Sequence, residues 1–335
     1  MTRVKDYAYI NTLIHVIKSF MLRDVDYRNV SSTDIPSIVN FLSRKIHPNL
    51  VELLSDGVPK EPSLDEAIVK DYMHVGALLK DHVPSYLSNF FELYFSSFDV
   101  SNLKTVIRAF MRGYDAEEVK NFLLPSTLGY EYYVKLMSSE NIEDLILKLD
   151  PILRTFLIES LKKWRDVDYS FVLEYAVDTF FFKTLWNTIG DMENIDKSGL
   201  YEIFGHKVDM INIINAIRFI RFGMNEGYFP IVCLPLFYKI DKKRVYTMVR
   251  MRTIMDALKI LRDTTYGKIL LPLEKKTPES IWLAFLRYYK RVCERVFYSY
   301  PFQAGKIFSL LELLKLENDN LRYIILSKLN GLRSE

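Results

Sequence analysis

Asp209-Met-Ile-Asn212-Ile213-Ile-Asn-Ala-Ile217-Arg218-Phe-Ile-Arg-Phe-Gly223 decides how the whole chain is read, because its pattern occurs twice more. Upstream stands Asp99-Val-Ser-Asn102-Leu103-Lys-Thr-Val-Ile107-Arg108-Ala-Phe-Met-Arg-Gly113, and near the end Glu317-Asn-Asp-Asn320-Leu321-Arg-Tyr-Ile-Ile325-Leu326-Ser-Lys-Leu-Asn-Gly331. Acid, Asn, aliphatic, Ile and Gly recur in register. Asn102, Asn212 and Asn320 are almost evenly spaced, and Leu124-Pro125 returns in the same phase as Leu234-Pro235. Self-similarity at a fixed period, here roughly 110 residues, is the mark of a repeated supersecondary unit. Weaker echoes occur around Asp34, Asn141 and Thr253, in stretches that read as helix openings.

Each copy reads as helix. In the first, Val100, Leu103, Val106, Ile107, Phe110 and Met111 share one face at three- and four-residue spacing, and Gly113 suits a left-handed stop. The middle copy is apolar nearly all round, which predicts deeper burial. Asp99 or Asp209 could cap its own helix, but Glu317 follows Phe308-Ser-Leu-Leu-Glu-Leu-Leu-Lys315, an unbroken helical pattern that argues against capping as the shared role. The Asn positions are therefore assigned to packing between helices. Helical spacing also marks Ile10 to Met21, Tyr86 to Phe98, Phe171 to Leu185 and Ile281 to Phe297. Ser55 to Ser63, Pro125 to Gly129, Gly190 to Gly199 and Thr264 to Pro278 read as connectors. The expected fold is all-α, with three similar helical domains over 1–118, 119–228 and 229–335.

Composition agrees. In 335 residues there are only 12 Gly and 12 Pro, which disfavours turn-dense β architecture, and the 22 Tyr, 22 Phe and 3 Trp supply ample core. Cys233 and Cys293 are too few for a disulfide framework or a thiolate metal site. Charges interrupt the apolar positions of residues 1–18, so they read as neither a signal peptide nor a span. The most lipid-like run, Tyr228 to Tyr238, is broken by Pro230 and Pro235 and falls short of the ~20 apolar residues a spanning helix needs. No insertion into the bilayer is expected. Net charge is +3, yet residues 229–335 hold 20 Lys+Arg against 10 Asp+Glu, leaving 25 against 32 in the rest. Such asymmetry suits either an acidic partner or attraction between parts of one chain.

Catalytic chemistry is hard to find. Gly267-Lys268 and Gly305-Lys306 lack the surrounding residues of a phosphate-cradling loop, and the five histidines form no HExxH pair. Arg23-Asp24-Val-Asp26-Tyr27 recurs as Arg165-Asp166-Val-Asp168-Tyr169, out of phase with the repeat. One intervening residue places the two acids of each pair on different helix faces, so helix capping is preferred over magnesium binding. No catalytic residue, metal site or cofactor is assigned. In the most basic stretch, Lys239 to Arg252, the apolar residues Val245, Met248, Val249 and Met251 suggest a helix with a solvated cationic face. Lys242, Lys243 and Arg244 are its candidate partner-binding residues.

Three acid-x-x-Asn-aliphatic helices ending in glycine resemble the C subunit of archaeal and bacterial A/V-type ATPases, related to the d subunit of the vacuolar proton pump. Glu317-Asn-Asp-Asn320-Leu321-Arg322 is similar to that family's C-terminal pattern, Tyr7-Ala8-Tyr9-Ile10-Asn11 to its start, and Thr264-Thr265-Tyr266-Gly267 to its Thr-x-Tyr turn. The resemblance implies three helical domains in a pseudo-threefold funnel and a non-catalytic central-stalk subunit. It further implies a place on the cytoplasmic side of the membrane, peripheral to it, between rotor shaft subunits of D and F type and the membrane proteolipid ring, with no nucleic acid partner. A helical scaffold of another complex and an all-α diphosphate-handling enzyme are the alternatives. In this reading Asp99, Asn102, Gly113, Asp209, Asn212, Gly223, Glu317, Asn320 and Gly331 are structural.

Overall fold

The computed structural model describes residues 2–57, 59–164 and 166–331, and among these there is helix but no strand. The helices are α1 (Thr2–Phe20), α2 (Asp24–Ser32), α3 (Ile35–Leu42), α4 (Pro48–Ser55), α5 (Glu61–Lys80), α6 (Ser88–Phe95) and α7 (Ser97–Met111). There follow α8 (Ala116–Lys120), α9 (Tyr130–Met137), α10 (Ile142–Leu147), α11 (Pro151–Lys163), α12 (Tyr169–Gly190) and α13 (Asn194–Phe222). The last are α14 (Phe229–Val232), α15 (Lys242–Val249), α16 (Ile254–Lys259), α17 (Thr265–Leu270), α18 (Pro278–Phe297) and α19 (Ala304–Leu329). Two compact units result, one of Met1–Pro151 with Leu310–Glu335, the other of Ile152–Ser309.

The first unit has its core where α2 to α5 meet the end of α19: Leu22, Val30, Ile38, Leu42, Leu50, Leu54, Leu64 and Ile68 enclose Leu321, Ile324 and Ile325. In the second unit, α13 is buried on several faces, with Leu200, Ile203, Val208, Ile213 and Ile217 each fully buried. Its neighbours include α12, α15 and α18. A helix apolar all round needs neighbours on several sides, and α13 has them. Short helices open on side-chain caps: Asp34 accepts from the Ser37 N–H at 3.0 Å, Asn141 from Asp144 at 2.8 Å and Thr253 from Asp256 at 3.1 Å. Each such cap contributes about 1 kcal/mol. The three weak sequence echoes are thus helix openings.

Three connector expectations change. Gly190 ends α12 and Gly199 lies inside α13, leaving only residues 191–193 between these helices. Glycine at 199 answers close helix approach, not a turn, since a Cβ there would lie 3.2 Å from the Gly305 Cα. Thr264 to Pro278 contains α17, and Pro278 opens α18. Between Ser55 and Ser63, α5 has already begun at Glu61, while Val58 lies outside the described residues. The Tyr86 to Phe98 segment is divided into a 3-10 turn, α6 and the start of α7. Among the described residues, no helix is long and apolar enough to cross a membrane.

Candidate functional site

In the first copy, the Asn102 side chain binds both backbone groups of Leu124: its amide donates to the carbonyl at 2.8 Å and its oxygen accepts from the N–H at 2.8 Å. Asn212 treats Leu234 alike, at 3.0 and 2.8 Å, and also donates to the Leu236 carbonyl at 3.0 Å. Each Asn therefore pins the Leu-Pro segment that follows its helix. The acids complete the attachment. Asp99 accepts from the Leu128 N–H at 3.0 Å and the Tyr133 hydroxyl at 2.7 Å. Asp209 accepts from the N–H groups of Tyr238 and Lys239, at 3.0 and 2.7 Å, and from the Tyr266 hydroxyl at 2.9 Å. Neither acid caps its own helix; both fasten the loop that follows it.

The third attachment turns to the beginning of the chain. Glu317, 1 % exposed, accepts from the Leu22 N–H at 2.7 Å and faces His47 Nε2 at 2.9 Å. Asn320 is exposed beside Tyr27, whose hydroxyl is pushed upward by burial and then by the Glu317 charge. Asp71 lies 3.9 Å from the other His47 nitrogen and holds the N–H groups of Asn49 and Leu50 at the start of α4. Gly113, Gly223 and Gly331 have φ of 74, 60 and 66°, the left-handed region that favours glycine after a helix.

Asp99, Asn102, Asp209, Asn212 and Glu317 are buried residues, where an unpaired polar group costs about 1–3 kcal/mol, whereas Asn320 is exposed. Asn212, 0 % exposed, satisfies three backbone groups. Asn212→Ala is expected to lose about 2 kcal/mol of folding stability or more in urea unfolding. Unchanged stability with failed assembly would give the residue to a partner instead.

In the second unit the Asp209 attachment continues into a buried polar cluster not foreseen from sequence. Tyr266 bonds His206 Nδ1 at 2.8 Å, Tyr288 stands 3.3 Å from Nε2, and Glu202 is 3.6 Å from the same nitrogen. The nearby His206 and then the Tyr238 hydroxyl, which donates to it at 2.7 Å, hold the Glu202 carboxyl down to about 2, while burial raises that of Asp209. The four-residue spacing of Glu202 and His206 was the one available signal.

Lys242, Lys243 and Arg244 form the first turn of α15, opened by Asp241, whose side chain accepts from the Arg244 N–H at 2.7 Å. Val245, Met248 and Val249 are buried beneath them. Lys242 and Lys243 are exposed, while Arg244 lies 3.6 Å from Asp241. Cations at a helix N-terminus oppose the helix dipole, so local helix stability does not account for them. The paired-acid motif behaves as a cap: Asp26 accepts from the Arg23 N–H at 2.8 Å and Asp168 from the Phe171 N–H at 3.0 Å. Arg165 lies outside the described residues. Among the described residues, no group of three His, Cys, Asp or Glu is placed to hold a metal ion. Burial raises the Cys233 thiol to about 12, leaving an unreactive side chain.

Residues 10–335, which include all three attachments, match the family model described as ATP synthase (C/AC39) subunit. The chain belongs to this family. Similar proteins include the C subunit of the A-type ATP synthase of Methanothermobacter thermautotrophicus, 23% identical over 82% of this chain and 71% of that one. The corresponding C subunit of Methanosphaera stadtmanae is 22% identical over 96% and 84%, and that of Methanocaldococcus jannaschii 24% identical over 98% and 84%. The acids, asparagines and glycines that fasten the helices of this ATP synthase family member all lie inside the matched stretch.

Proposed function

We propose that this chain is the coupling subunit of the central stalk of a rotary A/V-type ATPase. In this reading it links shaft subunits of D and F type to the membrane proteolipid ring on the cytoplasmic side, and passes torque between them without bond chemistry of its own. The observation that carries the proposal is the family match over residues 10–335. The attachments support it physically. A torque coupler must not yield between its helices, and buried side-chain bonds to backbone resist such slippage better than apolar contact alone. Recurrence of one attachment supports a division into three helical repeats, 1–118, 119–228 and 229–335, around a pseudo-threefold funnel.

The exposed cations of α15 contribute to a partner face in this proposal. The full chain should co-purify with shaft subunits and a proteolipid ring, and its association should weaken with rising salt. Replacing Lys242, Lys243 and Arg244 by Ala should reduce both the affinity and its salt dependence. A complex that assembles and couples ATP hydrolysis to ion transport without this chain would overturn the assignment.

A further inference from the structure

The second unit contains a cleft of about 630 Å³ walled by α11, α12 and the segment from Pro230 to Tyr246. Lys163, Lys183 and Lys242 reach it from three separate elements. Each ammonium sits over an aromatic ring: Lys163 over Trp164 at 5.2 Å, Lys183 over Phe156 at 5.3 Å, Lys242 over Tyr246 at 5.4 Å. Among the described residues none of the three has a carboxylate within ion-pair distance. Glu159, the one acid among the described residues lining the cleft, pairs with none of them although it stands a single turn from Lys163. Ring stacking fixes the ammonium heads without neutralising them.

A repeat-related cleft in the first unit serves as an internal comparison. It lies between the start of α5 and residues 120–133, so Pro62, Glu66 and Pro125 stand where Val172, Ala176 and Pro235 stand one repeat later. A hollow at this position is therefore a product of the architecture and needs no ligand to explain it. The second cleft carries more positive charge: Lys60, Lys120 and Glu66 line the first, whereas Lys163, Lys183 and Lys242 line the second with Glu159, alanine standing at 176 where the first has Glu66.

We infer that the second cleft receives an acidic amphipathic helix of a partner polypeptide, an inference that rests on the coupling-subunit reading and names the chemistry of one partner. The walls favour a helix. Ser160 on α11, with Ala176 and Thr179 on α12, are small and line the trough between two helix faces. Helix axes approach to about 8–10 Å where contact side chains are small. Pro230 and Pro235 in the third wall have no N–H, which disfavours strand addition there. Apolar anchors of the entering helix meet the half-buried Phe156, Trp164 and Phe237, and its carboxylates meet the three lysines.

The test uses the intact complex, with p-benzoylphenylalanine replacing Thr179 in one preparation and Ser160 in another, and mass spectrometry of the photo-adducts. Expected is an adduct to a helical segment of another subunit that carries Asp or Glu beside apolar residues, reduced at least about tenfold when Lys163→Glu, Lys183→Glu and Lys242→Glu are combined. Circular dichroism of the triple variant checks its fold, and each lysine reversed singly should give part of the loss. A complex that co-purifies normally without an adduct, or with one to a segment lacking acids, overturns the cleft assignment and leaves the coupling reading standing. Failure of the unsubstituted chain to co-purify removes the coupling reading itself. Saturable quenching of Trp164 by tripolyphosphate without a protein adduct would assign the cleft to a small anion and also overturn the proposal.

Discussion

Glu317→Ala should lower the unfolding free energy of the first unit by about 3 kcal/mol or more, since it leaves two buried groups without their acceptor at about 1–3 kcal/mol each. Two groups lose their acceptor together, the Leu22 N–H at 2.7 Å and His47 Nε2 at 2.9 Å, and neither can reach water without disturbing the core around Leu321 and Ile325. A thermal scan should show a midpoint lower by roughly 10 °C. Hydrogen exchange gives the sharper reading, because protection of the Leu22 amide should fall in step with global stability. Glu317→Gln, which keeps the volume and one acceptor oxygen, should fall between wild type and Ala. A loss below about 1 kcal/mol for Ala would mean that the attachment is bystander geometry.

Gly267→Ala should be comparably damaging for a different reason. Its φ is ordinary, so conformational freedom is not the issue; space is. An added Cβ would lie 2.6 Å from the Leu261 carbonyl carbon and 2.8 Å from the Arg262 Cα, both backbone atoms with no rotamer to give way. Relief requires α17 to move, and with it Tyr266, which bonds both Asp209 and His206. We expect a loss of about 3 kcal/mol or more, at the upper end of what overpacking costs. Tyr266→Phe should reproduce only the polar part of that loss. Near-native stability for the Ala variant, measured by urea unfolding, would show that α17 is loosely held.

The sequence and the structure agree where a signal was local and differ where glycine or charge was read without its neighbours. The acid-Asn-Gly helices were legible because their residues lie within one element at fixed spacing. Their purpose was not, because the partners of Asn102 and Asn212 lie well beyond their own helices, in irregular backbone. Leu124-Pro125 and Leu234-Pro235 were visible only as markers sharing the period. Gly199 suggested a turn, yet it lies mid-helix facing Gly305, a relation between distant residues that no local pattern carries. Charge counted by thirds obscured the cleft, since Lys163 and Lys183 fall in the net-acidic part of the chain before Phe229 while Lys242 falls in the basic remainder. His206 looked bland alone; three tyrosine rings around it make the cluster.

Synthesis on the ribosome imposes an order on the closing attachment. Leu22 and His47 emerge early, but Glu317 is added only after the entire second unit. At about 5–20 residues per second the nascent first unit waits tens of seconds with the seats of Leu321, Ile324 and Ile325 empty. A stalled or truncated product therefore leaves a greasy cradle open to chaperones and proteases, and a chain that has not been finished cannot pass as a finished one.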